Sequence, residues 1–398
     1  MFNKNKNIAY ILIMKREVTY KYKLKPTKHQ EEIFRQWCGS ARFVYNHFLD
    51  VQKLKLEVKE KIYSKFDLHK QLPGLKSEYE FLKEVGSQTL QAACDDLVLA
   101  FQKCFGKQGG FPKYRNRRKN TSFRLKQGVK YSEKHLTLPK IGKVRFFNSR
   151  SIPQPILGST KINSATVLKE ADGWYISLQF TTNIQPLPKS ENQAGVDVGV
   201  KYLYRTNHPN IYCDNPQAFK QVERKIRLLQ RKLERICRVN GFKRKDTKSN
   251  NYYRTVNRLQ RAYQKAQRIR LDLQHKESTR LVVMFEKIVV EDLNVKNMTR
   301  SAKGTLEEPG KNVKAKSGLN KSILDAAPSQ FIGLLEYKCS WYGREFQKVD
   351  ARYTSQTCSS CGHVAKENRK AQAQFACVHC GYKENADINA AKNILARA

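Results

Sequence analysis

Two Cys-x-x-Cys pairs, Cys358/Cys361 and Cys377/Cys380, carry the clearest chemistry in this chain. Four thiolates at that spacing close a tetrahedral zinc site, each pair forming a knuckle that the residues between them bring to face the other. Gly362 and Gly381 follow the pairs, where the backbone must turn tightly around a metal. The bland alternative is four unligated thiols spaced this way by coincidence. With all four positions taken by protein ligands the zinc is structural, so catalysis must come from elsewhere. Three carboxylates are candidates. Asp197 lies in the small and branched apolar run Ala194–Val200, Glu291 stands near the end of the apolar run 287–293, and Asp387 opens a helical segment just past the second cysteine pair. An aspartate in a buried strand is costly unless it is paired or binds a metal. Like charges held close together need cations to stay ionised, and hard carboxylate oxygens suit Mg²⁺ or Mn²⁺. Two such ions can activate water and stabilise the leaving 3′ oxygen of a phosphodiester. Asp292 competes with Glu291 and reads alternatively as a strand-end or capping residue; Asp197 reads alternatively as a turn or edge-strand aspartate. No Ser/His/Asp or Cys/His nucleophile set and no Gly-rich phosphate loop offers a different chemistry.

Strand, strand and helix must position those acids, the order in which an RNase H-like sheet brings three carboxylates to one edge. Upstream, Val18–Leu24 alternates as a strand, and Thr27-x-x-Gln30 is a capping box that opens a helix in which Gly39 marks a possible break. Helical patterns continue to Phe105, with a loop expected at Leu72-Pro73-Gly74. Lys113, Arg115, Arg117 and Arg118 then form a basic, aromatic-interleaved segment. Short β runs follow at Ser122–Leu125, His135–Leu138, Val144–Phe147, Ser164–Lys169 and Trp174–Thr181, a pitch that suits a small β-barrel. The opening strand can join that barrel, which makes the helical module an insertion. From Phe219 to Ile236 and from Val256 to Leu273 apolar residues step by three and four, giving a helical hairpin with one apolar seam and a basic outer face. A lysine-rich loop, Lys303–Lys316, precedes a single expected helix Ile323–Tyr342, and a strand near Glu345–Val349 leads to the ribbon.

The fold class is therefore α+β multidomain. Residues 1–25 hold a leader and first barrel strand, 26–108 a helical module and 109–190 the barrel. Residues 191–350 hold the first part of the domain that carries the carboxylates, with a basic hairpin at 217–285, 351–384 the zinc ribbon, and 385–398 the helix with the third carboxylate. A formal charge of +41, from 76 Lys+Arg against 35 Asp+Glu in 398 residues, repels itself in a compact state and calls for a polyanionic partner. No apolar run approaches the roughly 20 residues of a membrane span, so nucleic acid is that partner. The apolar stretch Ile8–Ile13 is a short leader without a cleavage site, and translation could begin at Met1 or Met14. Cys38, Cys94, Cys104, Cys213, Cys237 and Cys339 show no pairing logic and suit a reducing cytosol.

The motifs GSARFVYNHFL (Gly39–Leu49), FPKYRNRRKNTSFRL (Phe111–Leu125), GVDVGVK (Gly195–Lys201), LQHKES (Leu273–Ser278), VVEDLNVKNM (Val289–Met298), GLNKSILDAAPSQF (Gly318–Phe331), YTSQTCSSCGHV and ADINAAKNIL resemble those of the TnpB (OrfB) family. These are RNA-guided endonucleases of bacterial and archaeal insertion sequences, related to compact type V CRISPR effectors, and the resemblance spans almost the whole chain. Ala351 and Pro328-Ser329 depart from the family pattern, as does Tyr202–Pro209, but no ligand or carboxylate is lost. The resemblance implies that Asp197, Glu291 and Asp387 are a RuvC-type triad holding Mg²⁺ or Mn²⁺. It implies that Cys358, Cys361, Cys377 and Cys380 hold zinc, that the barrel is the wedge domain for guide RNA, and that the helical insertion is the recognition lobe. It further implies that Tyr63 and Gln91 lie near target-adjacent-motif DNA, with Tyr63 as helix core and Gln91 as a solvated side chain the plainer readings. The partners would be a guide RNA from the element's own end and double-stranded target DNA, read by pairing beside a short adjacent motif. A monomeric, cytoplasmic, nucleoid-associated ribonucleoprotein that retains its transposon follows. The alternatives are a guided DNA-binding repressor without cleavage and an accessory transposition protein.

Overall fold

The computed structural model describes residues 14–117, 121–149, 162–239, 241, 249–305, 307–369, 371 and 373–398. The expected leader at 1–13 and Arg118 lie outside them. Residues from Lys15 to Asn183 form one compact unit, and the chain from Ile184 onward forms a second.

In the first of these units β1 (Met14–Lys25) runs into α1 (Lys28–Glu57) through the expected capping box, Thr27 accepting from the Gln30 backbone while Gln30 answers. The helix passes through Gly39 without a break. A glycine there costs about 1 kcal/mol, and the buried stripe of Phe34, Trp37, Ala41, Val44 and Phe48 outweighs it. Likewise Leu72-Pro73-Gly74 is not a loop but lies inside α2 (Lys65–Glu78), where burial of Leu68, Leu72 and Leu75 offsets the proline. After α3 (Ser87–Phe105) come β2 (Ser122–Leu125), β3 (Lys130–Tyr131), β4 (His135–Leu138), β5 (Gly142–Phe147), β6 (Ile162–Glu170) and β7 (Gly173–Ile184). They form one sheet in the order β2-β6-β7-β1-β5-β4-β3. Among the described residues its ladders end at β2 and β3, so the expected barrel is, in hydrogen bonding, a sheet with two edges. Because β1 sits between β7 and β5, the helices are an insertion into it. Phe34 and Trp37 lock them down, their rings 5.8 and 5.3 Å from Phe123 of β2.

The second unit is built on β8 (Gln193–Asp197), β9 (Tyr202–Thr206), β10 (Tyr212–Asp214), β11 (Lys287–Glu291) and β12 (Glu345–Val349), in the order β10-β9-β8-β11-β12. The β10-β9-β8 side is antiparallel, while β8, β11 and β12 run parallel. Between β10 and β11 comes a helical hairpin, α4 (Ala218–Val239) and α5 (Asn250–Met284), whose seam is Val222, Ile226, Ala262 and Ala266. After the short α6 (Val295–Met298), the single helix expected at Ile323–Tyr342 is two: α7 (Val313–Ala326), which also takes up the end of the expected lysine-rich loop, and α8 (Pro328–Tyr342). Pro328 disfavours the helical region for its predecessor, and Ala327 sits at φ 50° in the left-handed region, between the two helices. The ribbon strands β13 (Gln374–Ala376) and β14 (Lys383–Asn385) lead into α9 (Ala386–Ala396).

Strand alternation divides the buried sheet residues between two layers. Ala194, Val196, Ile288 and Val290 pack with Leu281, Val282, Phe331 and Leu335 of α5 and α8. Val289 packs the other way, with Val349 and Ile394 of α9. By the same alternation Gly195, Asp197 and Glu291 belong to the α9 face.

Candidate active site

Asp197 is the last residue of β8, not an interior one, and Glu291 the last of the parallel neighbour β11, one step beyond the pair Val196 and Val290. Asp387 joins them from the first turn of α9. That helix comes very close to the sheet: a Cβ on Gly195 would lie 2.0 Å from the Ala391 carbonyl oxygen. Only glycine lets α9 lie so low, and it brings the helix N-terminus to the strand ends. Asn385 caps the helix, its Oδ1 accepting from the N–H groups of Asp387 (3.0 Å) and Ile388 (3.4 Å). The positive end of the helix dipole suits the carboxylate beside it.

Three half-buried acids so placed repel one another. The Asp197 carboxyl is pushed up to about 8, by burial first and then by the charges of Glu291 and Asp387, with Arg369 opposing. Glu291 is also raised by burial, against a Thr354 hydrogen bond and the positive charges of Arg397 and Arg369. The site therefore favours a proton or a cation at its centre, and the donor set, carboxylate oxygens alone, is that of a hard divalent ion. Asp292 is exposed, its N–H bonded to the Val349 carbonyl (2.8 Å), and its charge is not among those acting on Asp197.

Sequence reasoning missed four residues here. Thr354, 2 % exposed, donates its hydroxyl to Glu291 Oε1. Asn393 Nδ2 donates to the Thr354 carbonyl (2.8 Å), tying that loop to α9. One turn earlier Asn389 donates to the Thr357 carbonyl (2.8 Å) and accepts from the Ser359 N–H (2.9 Å). Arg369 stands 3.6 Å from Asp387. The i, i+4 spacing of Asn389 and Asn393 on a helix otherwise rich in alanine was the available signal.

The same loop begins the four-cysteine cluster. Its sulfurs all lie within 4.8 Å of one another, with Cys358 and Cys380 3.7 Å apart and Cys361 and Cys377 3.6 Å apart. A tetrahedron with ligands at about 2.3 Å has edges of about 3.8 Å, so the cluster could hold a metal ion as it stands. The backbone N–H of Cys380 donates to Cys377 Sγ (3.4 Å) and draws that thiol down, while the neighbouring Cys361 thiol is pushed up, as when two sulfurs share one proton. Fully buried Asn368 braces both knuckles, donating to the His363 carbonyl (3.1 Å) and accepting from the Val378 N–H (2.9 Å). The other six cysteines form no disulfide, and burial pushes the Cys38, Cys94 and Cys339 thiols up to about 12.

The remaining predicted residues lie in the first unit. Tyr63 is half-buried in the turn after α1, outside any helix, its backbone held at both polar atoms by Gln52 (2.8 Å each). Gln91 is half-buried on α3, with its carbonyl 3.3 Å from His69 Nε2. Lys113 and Arg117 are exposed. Arg115 is structurally engaged, paired with Asp96 at 3.1 Å and lying 3.9 Å from the centre of the Tyr45 ring. No helix among the described residues is long and apolar enough to cross a membrane.

Three family models match the chain: "Helix-turn-helix domain" over 14–61, "Probable transposase" over 175–302, and "Cas12f1-like, TNB domain" over 329–394. Over the first range this chain forms β1 and the unbroken α1. The chain is 37% identical over 388 residues to "Putative RNA-guided DNA endonuclease InsQ" of Escherichia coli, covering 96% of this chain and 92% of that protein. It is 29% identical over 386 residues to a protein of the same description, "Putative RNA-guided DNA endonuclease", from Streptomyces pristinaespiralis, covering 95% and 88%. Its mixed α/β fold is similar to that in "Cryo-EM structure of the Cas12f1-sgRNA-target DNA complex", with a TM-score of 0.55 at 14% identity, over 96% of this chain and 98% of that one.

Proposed function

We propose a function for this chain from one premise: it belongs to the TnpB (OrfB) family. On that premise it is an RNA-guided, Mg²⁺-dependent DNA endonuclease of a transposable element. It cuts duplex DNA beside a short adjacent motif and retains the element by cleaving donor sites emptied at excision. The observation that carries the reading is the meeting of Asp197, Glu291 and Asp387 at the C-terminal ends of two parallel strands. The strand order β10-β9-β8-β11-β12 supports an RNase H-like, RuvC-type sheet there. Asp197, Glu291 and Asp387 would hold the catalytic cations, and Cys358, Cys361, Cys377 and Cys380 a structural zinc. The seven-stranded sheet would act as the wedge and the inserted helices as the recognition lobe, with Tyr63 and Gln91 near the adjacent motif. Lys113 and Arg117 would meet backbone phosphates.

Bound at the carboxylates, divalent cations would polarise the scissile phosphate and acidify the attacking water. The chain's own part is positional. Thr354 holds one Glu291 oxygen and leaves the other to a cation, and the capped start of α9 presents Asp387. Arg369, beside Asp387, offers positive charge to the phosphate oxygens. Guide and target would be paired with each other while the protein holds their backbones.

The test is Mg²⁺-dependent cleavage of a duplex library, one target flanked by randomised sequence, by protein co-expressed with RNA from its own element. Guide-dependent cuts with an enriched flank, abolished in Asp197→Ala, are expected. Guide-dependent binding without cutting would make the chain a repressor-like relative and end the endonuclease reading.

A further inference from the structure

A cavity of about 450 Å³ opens between α4, α5 and α7; Asp197, Glu291 and Asp387 do not line it, and the one carboxylate that does, Asp325, is held by the Phe219 N–H and Arg270. Its size falls within the roughly 300–1,000 Å³ span of small-ligand pockets. The Tyr263 side chain remains 42% exposed with its hydroxyl fixed by the Gln230 amide (3.2 Å), and Phe219 lies 6.0 Å away, inclined at 35°. Leu324, 60% exposed, forms an apolar wall. One turn along α5 from Tyr263, Gln267 carries an amide that donates and accepts, exposed to solvent. Asn320 Oδ1 finds no donor among the described residues. Lys321, 4.8 Å from the Phe219 ring and paired with Glu223, adds positive charge at the rim.

These groups combine an aromatic face, an apolar wall, one exposed amide able to read a hydrogen-bonding edge, and a cation. We infer that this cavity binds one unstacked nucleotide, its base against Tyr263 and Leu324, its edge toward Gln267, and its phosphate toward Lys321. Base stacking on an aromatic ring is tolerant of sequence, and an amide beside it adds a preference. The structural alternative, a cavity that merely separates helices, leaves the exposed Leu324 and Tyr263 faces without a purpose. This inference rests on the reading that nucleic acid is the partner, but not on cleavage.

The full-length protein is titrated with single-stranded RNA and DNA oligonucleotides of one sequence, and with AMP, over a range of salt. Tyr263→Ala is expected to weaken binding roughly five- to a hundredfold, as the loss of one stacked base does. The slope of log affinity against log salt should stay unchanged, because no phosphate contact is lost. Tyr263→Phe should restore affinity, since the ring face alone carries the contact. Loss on RNA, on DNA or on AMP each supports the site and identifies the strand or free nucleotide that supplies it. Wild-type affinity for all three in Tyr263→Ala, or a deficit that Tyr263→Phe shares, overturns it, and thermal melting of both variants establishes that they fold. A protein that binds but does not cut defeats the endonuclease reading alone; one that cuts with unaltered binding in Tyr263→Ala defeats this inference alone.

Discussion

Thr354 contributes one hydroxyl to the carboxylate site, yet that hydroxyl links Glu291 to the loop that α9 grips. A hydrogen bond to a charged group contributes about 1.5–3 kcal/mol. Thr354→Val should therefore lower the cleavage rate about tenfold or more with guide binding intact, and Thr354→Ser should recover it. Equal rates in all three proteins would show that Glu291 needs no such restraint. Asp197 makes a separate prediction. Its carboxyl, raised to about 8, keeps its proton in the folded metal-free chain far above the roughly 3.9 at which an unfolded aspartate loses it. The folded state then binds more protons between those values, so stability is full below about 4 and falls as pH rises through about 8. Melting the protein in buffer free of added divalent cations and of chelator from pH 5 to 8 should show a falling midpoint, with a flatter trend in Asp197→Asn; parallel trends would mean the three acids are not crowded. At this scale the sequence announced the residues whose chemistry is expensive. A carboxylate in an apolar strand and a doubled Cys-x-x-Cys stand out because burial or spacing must be explained. Thr354 and Arg369 are ordinary polar residues whose partners lie far along the chain, and nothing local marks them; Asn393 left only its i, i+4 spacing from Asn389.

At the scale of elements, the approach of α9 to β8 is the constraint that assembles the site. Gly195→Ala puts a methyl 2.0 Å from a backbone carbonyl and 2.8 Å from the Leu395 nitrogen, and neither can move alone. Overpacking of this kind costs about 1–3 kcal/mol or more. The variant should melt several degrees lower and lose cleavage as Asp387 is lifted away; an unchanged midpoint would contradict the close approach. Strands were legible where alternation was clean: β2, β4 and β12 fall on the expected residues. The errors share a cause. Gly39, Pro73 and the joint at Ala327 are places where local preference and tertiary burial compete. Burial won at the first two, Leu72 staying helical before Pro73, whereas at Pro328 the disfavour of the helical region for the preceding residue prevailed.

Across the whole molecule, the cysteine cluster and the carboxylates are mechanically one object, joined through Thr357, Ser359 and Asn389. Cys377→Ser, or stripping zinc with a chelator, should lower the zinc content and open residues beyond 350 to protease. Cys377→Ser should also abolish cleavage although none of the three carboxylates is altered; an unchanged digestion pattern would separate the two. Strand order was the part least visible beforehand, since pairing across long intervals leaves no periodic trace in the chain, and the ladder ends at β2 and β3 could not be told from closure. The charge of +41 was visible at once, but not which surfaces it serves. One arrangement bears on how the protein comes into being. Asp197 and Glu291 flank the whole α4–α5 hairpin, so the strands that carry them can pair only after that long interval is closed, whereas the hairpin's own contacts are local. Local structure forms fast and distant parallel pairing slowly. During folding the basic hairpin is therefore in place before the carboxylate site, and on the proposed function a nascent chain would grip nucleic acid before it could cut it.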